Sequence, residues 1–239
     1  MEKRLFSILQ NKFLYLALFS VVAFSACKKG DVPATPTAGL MAFNLIADST
    51  PPVVFVLNNN SITNTPLSYS SFTGTYLPVY TGPRTLQVYP GNSDSLLASG
   101  SFTVEANKYY SAFVMGANGT YKNMIVDDEL DLLPDSTGKA FVRYVNAIPD
   151  SSNQNVTISA SGMDEVTGIT HYGDISPFTG ITPGNFTLGI SNDSTISATR
   201  TITFEKDKVY TVLLTGMPHP TDTAKAVKIS FVVNGTITK

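Results

Sequence analysis

Residues 101–116 read SFTVEANKYYSAFVMG, and residues 201–216 read TITFEKDKVYTVLLTG. Aligned at an offset of 100, the two stretches share five identities, at Thr103/Thr203, Glu105/Glu205, Lys108/Lys208, Tyr110/Tyr210 and Gly116/Gly216. The similarity extends outward, because residues 146–151 align with 44–49 and Val156–Ala160 aligns with Val53–Leu57. We therefore interpret the chain after residue 38 as two copies of one module.

The composition favours an all-β fold with many turns. Charged residues make up only 14% of the chain, and Ser, Thr, Gly and Pro are abundant. Short apolar or alternating runs, separated by turn signals, predict strands at 40–46, 53–57, 84–89, 96–104, 109–116 and 124–130, and at 140–147, 156–160, 182–188, 199–204, 209–216 and 227–233. Residues 105–108 are interpreted as a tight, hairpin-like link. Such spacing predicts two tandem immunoglobulin-like β-sandwich modules.

The first 27 residues have the features of a secretory signal. Lys3 and Arg4 precede an apolar run at 13–24, which is too short for a comfortable transmembrane helix. Small residues then lead to Cys27, and this ending resembles a bacterial lipoprotein signal. We expect a lipoprotein signal peptide at 1–26, a lipidated Cys27 with a flexible spacer over 27–39, a first module at 40–131 and a second at 138–239. The alternative is cleavage nearby, which would leave Cys27 as a free thiol.

Cysteine count and charge exclude several classes of protein. Cys27 is the sole cysteine, so the chain has neither an intrachain disulfide nor a cysteine-rich zinc site. The net charge of −2 indicates no basic surface for nucleic acid. We expect the protein to associate with a membrane through its lipid anchor and to bind a protein or glycan ligand. The short linker at 131–138 predicts that the two modules touch or are stiffly coupled.

The motifs of the two copies resemble one bacterial family, domain of unknown function 4397. The resemblance rests on VRYVNAIPD at 142–150, on YTGPRTL at 80–86 with TPGNFTL at 182–188, and on KYYSAF at 108–113 with KVYTVL at 208–213. It covers nearly all of residues 40–239, although the first copy has Ala47 where the second has Pro149. The resemblance implies immunoglobulin-like modules in a secreted or lipid-anchored protein of a Bacteroidetes-type cell envelope, with no activity attached. The expected location is the outer membrane.

No catalytic pattern is present in the sequence. His171 and His219 are the only histidines, and no G-x-S-x-G, P-loop or G-x-G-x-x-G motif occurs. The densest acidic run is a weak candidate for a Ca²⁺ site, formed by Asp127, Asp128, Glu129 and Asp131, although it lacks EF-hand spacing. We expect no enzyme activity, no cofactor and no dedicated metal centre.

Two further patterns leave alternatives open. The aromatic residues Tyr69, Phe72, Tyr76 and Tyr80 are interpreted as core residues, with an exposed ligand face as the alternative. Six Asp-Ser or Asp-Thr dipeptides resemble Bacteroidetes O-glycosylation sites, with turn chemistry as the alternative reading. Their acceptor residues would be Ser49, Ser95, Ser136, Ser151, Ser194 and Thr223.

Three hypotheses for function follow from the sequence. The first is a non-catalytic cell-envelope lipoprotein that serves in binding, adhesion or scaffolding. The second is a metal-dependent hydrolase or calcium-binding module that uses the acidic run, which requires that run to cluster with His171. The third is a structural spacer, which predicts a protein without a concave or aromatic surface.

Overall fold

The computed structural model describes residues 35–134, 138–149, 156–161, 167–192 and 194–237. The chain divides after Thr35, and Pro36–Lys239 form one compact unit. Within the described part of the chain, no helix is long and apolar enough to cross a membrane. The predicted signal peptide and Cys27 lie outside the described residues.

The all-β prediction is confirmed. The first sandwich consists of two sheets, and its strands are β1 (Thr37–Ile46), β2 (Val53–Leu57), β3 (Asn60–Ser61), β4 (Ser71–Phe72), β5 (Leu77–Tyr80), β6 (Gly82–Pro90), β7 (Ala98–Val104), β8 (Tyr109–Ala117) and β9 (Thr120–Asp127). The first inner sheet has the order β4-β1-β8-β9, with β5 also paired to β1. The first outer sheet has the order β3-β2-β6-β7. A 3₁₀ helix, Leu130–Leu132, follows β9.

The second sandwich repeats this arrangement. Its strands are β10 (Ala140–Asn146), β11 (Val156–Ala160), β12 (Gly168–Thr170), β13 (Thr179–Ile181), β14 (Gly184–Ser191), β15 (Ser197–Phe204), β16 (Lys208–Thr215) and β17 (Lys228–Thr236). The second inner sheet has the order β13-β10-β16-β17, and the second outer sheet has the order β12-β11-β14-β15. In both inner sheets the first strand pairs in parallel with the strand that follows the crossing link, β1 with β8 and β10 with β16. A second 3₁₀ helix, Thr223–Lys225, precedes β17.

Among the described residues, three hydrophobic cores lie between the four stacked sheets. One core fills each sandwich, and a third lies between the two inner sheets, with Phe43, Phe113 and Leu213 among its members. The central strands β1 and β8 are therefore buried on both faces, which explains why they are nearly continuous apolar runs rather than alternating ones. The prediction that the two modules touch is confirmed by this third core.

The predicted hairpin at 105–108 is wrong. β7 pairs with β6 in the outer sheet, whereas β8 pairs with β1 and β9 in the inner sheet, so the link crosses from one sheet to the other. Residues 205–208 make the same crossing between β15 and β16. Asn107 and Asp207 turn the chain with φ angles of 63° and 61°. A hairpin would have left the doubly apolar strand β8 at an outer face.

The identities of the duplicated stretch have structural causes. The hydroxyl of Tyr110 accepts a hydrogen bond from the main-chain N–H of Glu105 at 3.1 Å, and Tyr210 accepts one from Glu205 at 2.9 Å, so each tyrosine pins its crossing link. Gly116 and Gly216 have φ angles of +141° and +106°. A Cβ at either glycine would lie 2.2 or 2.3 Å from a main-chain oxygen of the neighbouring strand or loop, which excludes every other residue without a shift of the backbone.

Candidate functional site

The main candidate site is a groove of about 580 Å³ that both sandwiches line. We call it the seam groove. Its first-sandwich wall follows β9 and the first 3₁₀ helix, and its second-sandwich wall comes from β10 and the chain before β13. The apolar residues that shape it include Leu132, Leu133, Pro134, Phe141, Pro177 and Phe178. Leu132 is 67% exposed and, with the apolar residues beside it, puts an apolar lip on the groove.

Arg143 joins the two sandwiches at the base of the seam groove. Its guanidinium donates to Asp128 (Nη1 to Oδ1, 2.6 Å), to Ser111 (Nη2 to Oγ, 2.9 Å) and to Thr211 (Nε to Oγ1, 2.9 Å). The side chains of Arg143 and Asp128 are only 2% and 0% exposed. The face of the guanidinium lies 4.4 Å from the ring centroid of Phe178, which adds a cation–π contact.

Three hydroxyls complete the network around this ion pair. Ser111 and Tyr76 donate to Oδ2 of Asp128 at 2.7 and 2.5 Å, while Thr211 donates to Oδ1 of Asn234 at 2.6 Å. The amide of Asn234 donates in turn to the hydroxyl of Tyr76 at 3.1 Å. Each hydroxyl thus donates once and accepts once, so the network has a defined direction throughout. Burial and then the charge of Asp128 raise the pKa of Tyr76, which keeps its hydroxyl a donor.

The acidic run does not converge on a metal site. Asp128 is committed to Arg143, Asp127 accepts the main-chain N–H of Glu129 at 2.9 Å, and Asp131 pairs with Lys108 at 2.7 Å. Glu129 is exposed at the start of the 3₁₀ helix, with φ of 47°. Among the described residues, no group of three or more His, Cys, Asp or Glu side chains could hold a metal ion.

The two histidines do not join the acidic run. His171 contacts Asp174 instead, through its main-chain N–H at 2.6 Å and its ring Nδ1 at 3.2 Å, and both side chains are largely exposed. His219 lies in the loop after β16 with φ of 52°. No histidine is among the residues that line the seam groove.

The four aromatic residues that were interpreted as core residues differ in their burial. Phe72 stacks on Phe43 with centroids 5.4 Å apart in the core between the sandwiches, and Tyr76 belongs to the network around Asp128. Tyr69 packs under Lys225 and Lys228 of the second sandwich, and Tyr80 is 61% exposed. The core interpretation is therefore confirmed for Phe72 and Tyr76, which pack in the core between the sandwiches, and is wrong for Tyr80.

Four of the six proposed acceptor residues for glycosylation are described and exposed, namely Ser49, Ser95, Ser194 and Thr223. Ser136 and Ser151 lie outside the described residues. At two of these positions the preceding aspartate stabilises a turn through its side chain. Asp48 accepts the main-chain N–H of Thr50 at 2.8 Å, and Asp222 accepts that of Ala224 at 2.9 Å. Modification itself stays a prediction.

Sequence reasoning missed Arg143 and the contacts between the sandwiches. The available signal was the stretch AFVRYVN at Ala140–Asn146, where one arginine interrupts a run that is otherwise buried on both faces. A charge is retained at such a position only when a partner neutralises it. The partner could not be chosen from the sequence, because Asp128 becomes its neighbour only when the two inner sheets face each other.

The comparisons with known proteins give the family. The family model described as Domain of unknown function (DUF4397) matches residues 38–153 and 140–231. The chain belongs to this family. Among curated proteins, none matches the sequence.

Three solved structures of low similarity accompany this result. A candidate cell adhesion protein from Bacteroides eggerthii is 10% identical over 87% of this chain and 98% of its own, with a TM-score of 0.24. The family 26 carbohydrate-binding module from Eubacterium rectale Amy13K, solved with maltoheptaose, is 9% identical over 85% and 98%, also with a TM-score of 0.24. Family 41 carbohydrate-binding modules from streptococcal virulence factors are 8% identical over 80% and 96%, again with a TM-score of 0.24. At these scores the similarities carry no argument about ligand or partner.

Proposed function

We propose that this chain is a non-catalytic, lipid-anchored protein of the cell envelope, located at the outer membrane, that binds a protein partner in the seam groove. The observation that carries the binding proposal is the groove itself, a concave surface whose two walls come from different sandwiches. Exposed Leu132 and the proline and phenylalanine residues around it match the apolar centre of a protein interface. The presence of this groove argues against a structural spacer.

The charged groups at the base of the groove support a binding role over a catalytic one. Arg143 and Asp128 neutralise each other, and their polar atoms are already engaged with Ser111, Thr211 and Tyr76. A general acid or base needs a free position within reach of the substrate. The network instead fixes the two walls of the groove relative to each other, and this preorganisation reduces the ordering cost of binding.

The lipid anchor rests on the position of Cys27 after an apolar run that ends in small residues. We expect metabolic lipid labelling of the protein in its native cells to give a labelled product with a lipid-sized mass increment. A Cys27→Ala form should lose both the label and the increment, because no other cysteine can carry the acyl chains. An unlabelled wild-type protein that is freely soluble would overturn the anchor.

The proposal that the seam groove binds a protein is tested by introducing one charge at its exposed edge. Leu132→Asp should abolish retention of solubilised envelope material by the immobilised full-length protein, since a buried carboxylate opposes apolar docking. Ile169→Asp is the matched control, because Ile169 is similarly exposed, at 59%, but lies on β12 away from the groove lining. Equal retention by Leu132→Asp and the wild type would contradict the proposal.

Treatment of the envelope material separates the classes of partner. Protease treatment should abolish retention if the partner is a protein, whereas periodate oxidation should leave it intact. The opposite result would assign a glycan instead. One observation favours that second candidate: exposed Tyr80 borders a smaller groove of about 410 Å³ with Asn58, Asn60 and Arg84, an aromatic and amide lining suited to sugar. In that case Tyr80→Ala, and not Leu132→Asp, would remove retention.

A further inference from the structure

Two lysines of the second sandwich converge on one tyrosine of the first. The ammonium groups of Lys225 and Lys228 lie 4.5 and 4.8 Å from the ring centroid of Tyr69, and Lys225 also donates to the main-chain carbonyl of Asp48. Among the described residues, no ion pair joins either lysine to a carboxylate. The carboxylate of Asp48 is engaged elsewhere, since it accepts from the main-chain N–H of Thr50 on its own loop and from the hydroxyl of Tyr121 on β9.

Buried hydroxyls accompany the two charges. The hydroxyls of Tyr69, Thr215 and Ser230 are shielded from solvent, and Ser230 makes no hydrogen bond within the described chain. Burial raises the pKa of Tyr69, and the neighbouring hydroxyl of Thr215 opposes that rise by hydrogen bonding to it. Thr215 is fully buried and pairs across the sheet with Lys228, and Ser230 lies two residues along the same strand, on the same face as Lys228. Buried hydroxyls in native proteins are normally paired. Here buried hydroxyls therefore coincide with two ammonium groups that have no ion pair to a carboxylate.

The first sandwich contains an equivalent lysine that serves as an internal comparison. Lys122 pairs with Met115 as Lys228 pairs with Thr215, and its ammonium lies 3.9 Å from the ring centroid of Tyr172. It donates to the carbonyl of Tyr172 at 3.1 Å. The nearby carboxylate of Asp174 raises the pKa of Lys122, against a larger lowering by burial. At this place the positive charge has a carboxylate close by.

The Lys225/Lys228 site lacks that compensation. The first sandwich has Ser71 at the position of Asp174, since Ser71 pairs with Asn44 as Asp174 bonds to Asn146. A second lysine is present instead, and burial followed by the charge of Lys225 lowers the pKa of Lys228. At one of the two equivalent places, Lys122 has the carboxylate of Asp174 nearby. At the other, Lys225 and Lys228 lie together, and Ser71 stands where the acid would be.

The geometry points to a binding site for a phosphate-type oxyanion, either inorganic phosphate or a phosphate monoester, held by Lys225, Lys228, Tyr69 and Thr215. A dianion matches the two ammonium charges, and each ammonium offers three donors to its oxygens. The hydroxyl of Tyr69 supplies a neutral donor beneath the lysines, and Thr215 orients it by donating to its oxygen. The residues come from both sandwiches, so a bound anion would also join them, at a place separate from the seam groove.

Calorimetric titration with inorganic phosphate, at fixed ionic strength maintained by chloride, tests the site on full-length protein purified from its native cells. We expect saturable binding to the wild type, and a loss of affinity of roughly tenfold or more in Lys228→Gln, because one charge-assisted contact is removed. Lys122→Gln is the matched control and should bind as the wild type does. Thr215→Val keeps both charges and shape, and should weaken binding by less than Lys228→Gln.

Two further arms identify the source of the phosphate group. Saturable binding of inorganic phosphate or glycerol phosphate indicates a free ligand. The proposed acyl chains on Cys27 bind any vesicle, so the lipid arm compares compositions: an increase in retention when phosphatidic acid is added to phosphatidylcholine vesicles, lost in Lys228→Gln, indicates a lipid headgroup. The proposal is overturned if the wild type shows neither response, or if Lys228→Gln and Lys122→Gln bind alike. Leu132→Asp should leave phosphate binding unchanged, so failure of this site and failure of the seam groove are distinguishable.

Discussion

The inner sheets of the two sandwiches place different residues at equivalent positions. Ser111 and Thr211 correspond by the duplication, and strand register then matches Met41 with Arg143. Asp128 accepts from Ser111 as Asn234 accepts from Thr211, so these two residues also take equivalent places. A two-fold-like interface between identical modules would contact itself through the same residues on both sides. Here one side brings the arginine and the other brings the aspartate, so the interface fits only the unlike pair.

The consequence is specificity within one chain. A first sandwich paired with its own copy would bury two carboxylates from Asp128, and a second sandwich paired with its own copy would bury two guanidinium groups from Arg143. Burial of unpaired like charges costs several kcal/mol per ion. The asymmetry therefore opposes association between like sandwiches of different molecules, while it permits the contact between neighbours along the chain.

The largest expected loss of stability comes from single substitutions that give one sandwich the residue found at the equivalent place in the other. Arg143→Met gives the second sandwich the residue of the first, and Asp128→Asn gives the first sandwich the residue of the second. Each single change leaves one buried charge unpaired and should lower the free energy of unfolding by about 3–5 kcal/mol. Urea unfolding of the full-length protein measures the loss.

The double variant sharpens the comparison. Arg143→Met combined with Asp128→Asn removes both charges, so its loss should be well below the sum of the two single losses. Met41→Leu is the control for packing alone, since it changes shape in the same core without a charge and should cost less than about 1.5 kcal/mol. Additive losses in the double variant would mean that the ion pair does not couple the sandwiches.

The positions of the strands could be predicted from the sequence better than the way in which the strands pair. The predicted strand at 53–57 is observed with the same bounds as β2, because a short run of mostly β-branched apolar residues is bounded there by two prolines and an asparagine turn. The crossing at 105–108 was not predictable in this way, because a strand pattern does not say which sheet the strand joins. The continuous apolar run of β8 was the missed indication, since it signals burial on both faces.

The candidate sites depended still more on tertiary structure. Asp128 was recognised as part of an acidic run, but its role follows from Arg143, which comes from the other sandwich and reaches it across two facing sheets. Lys228 and Tyr69 are separated by more than half of the chain, and only the stacking of the inner sheets brings them together. Contacts of this kind carry no periodic signal in the sequence.

The smallest expected effect concerns a feature that the two sandwiches share. Tyr110→Phe and Tyr210→Phe each remove one hydrogen bond to the crossing link and should each cost about 1 kcal/mol of unfolding free energy. The loss at Tyr110 should be slightly larger, because its hydroxyl also donates to the carbonyl of Thr103 at 3.3 Å.

Tyr109→Phe provides the control for this comparison, because Tyr109 precedes Tyr110 in β8 and is 42% exposed. It should leave the free energy of unfolding within about 0.5 kcal/mol of the wild type, as for other surface changes. If Tyr210→Phe were as neutral as Tyr109→Phe while Tyr110→Phe was costly, the second crossing link would be held by other contacts. The shared tyrosine would then reflect common ancestry of the two copies rather than a shared structural requirement.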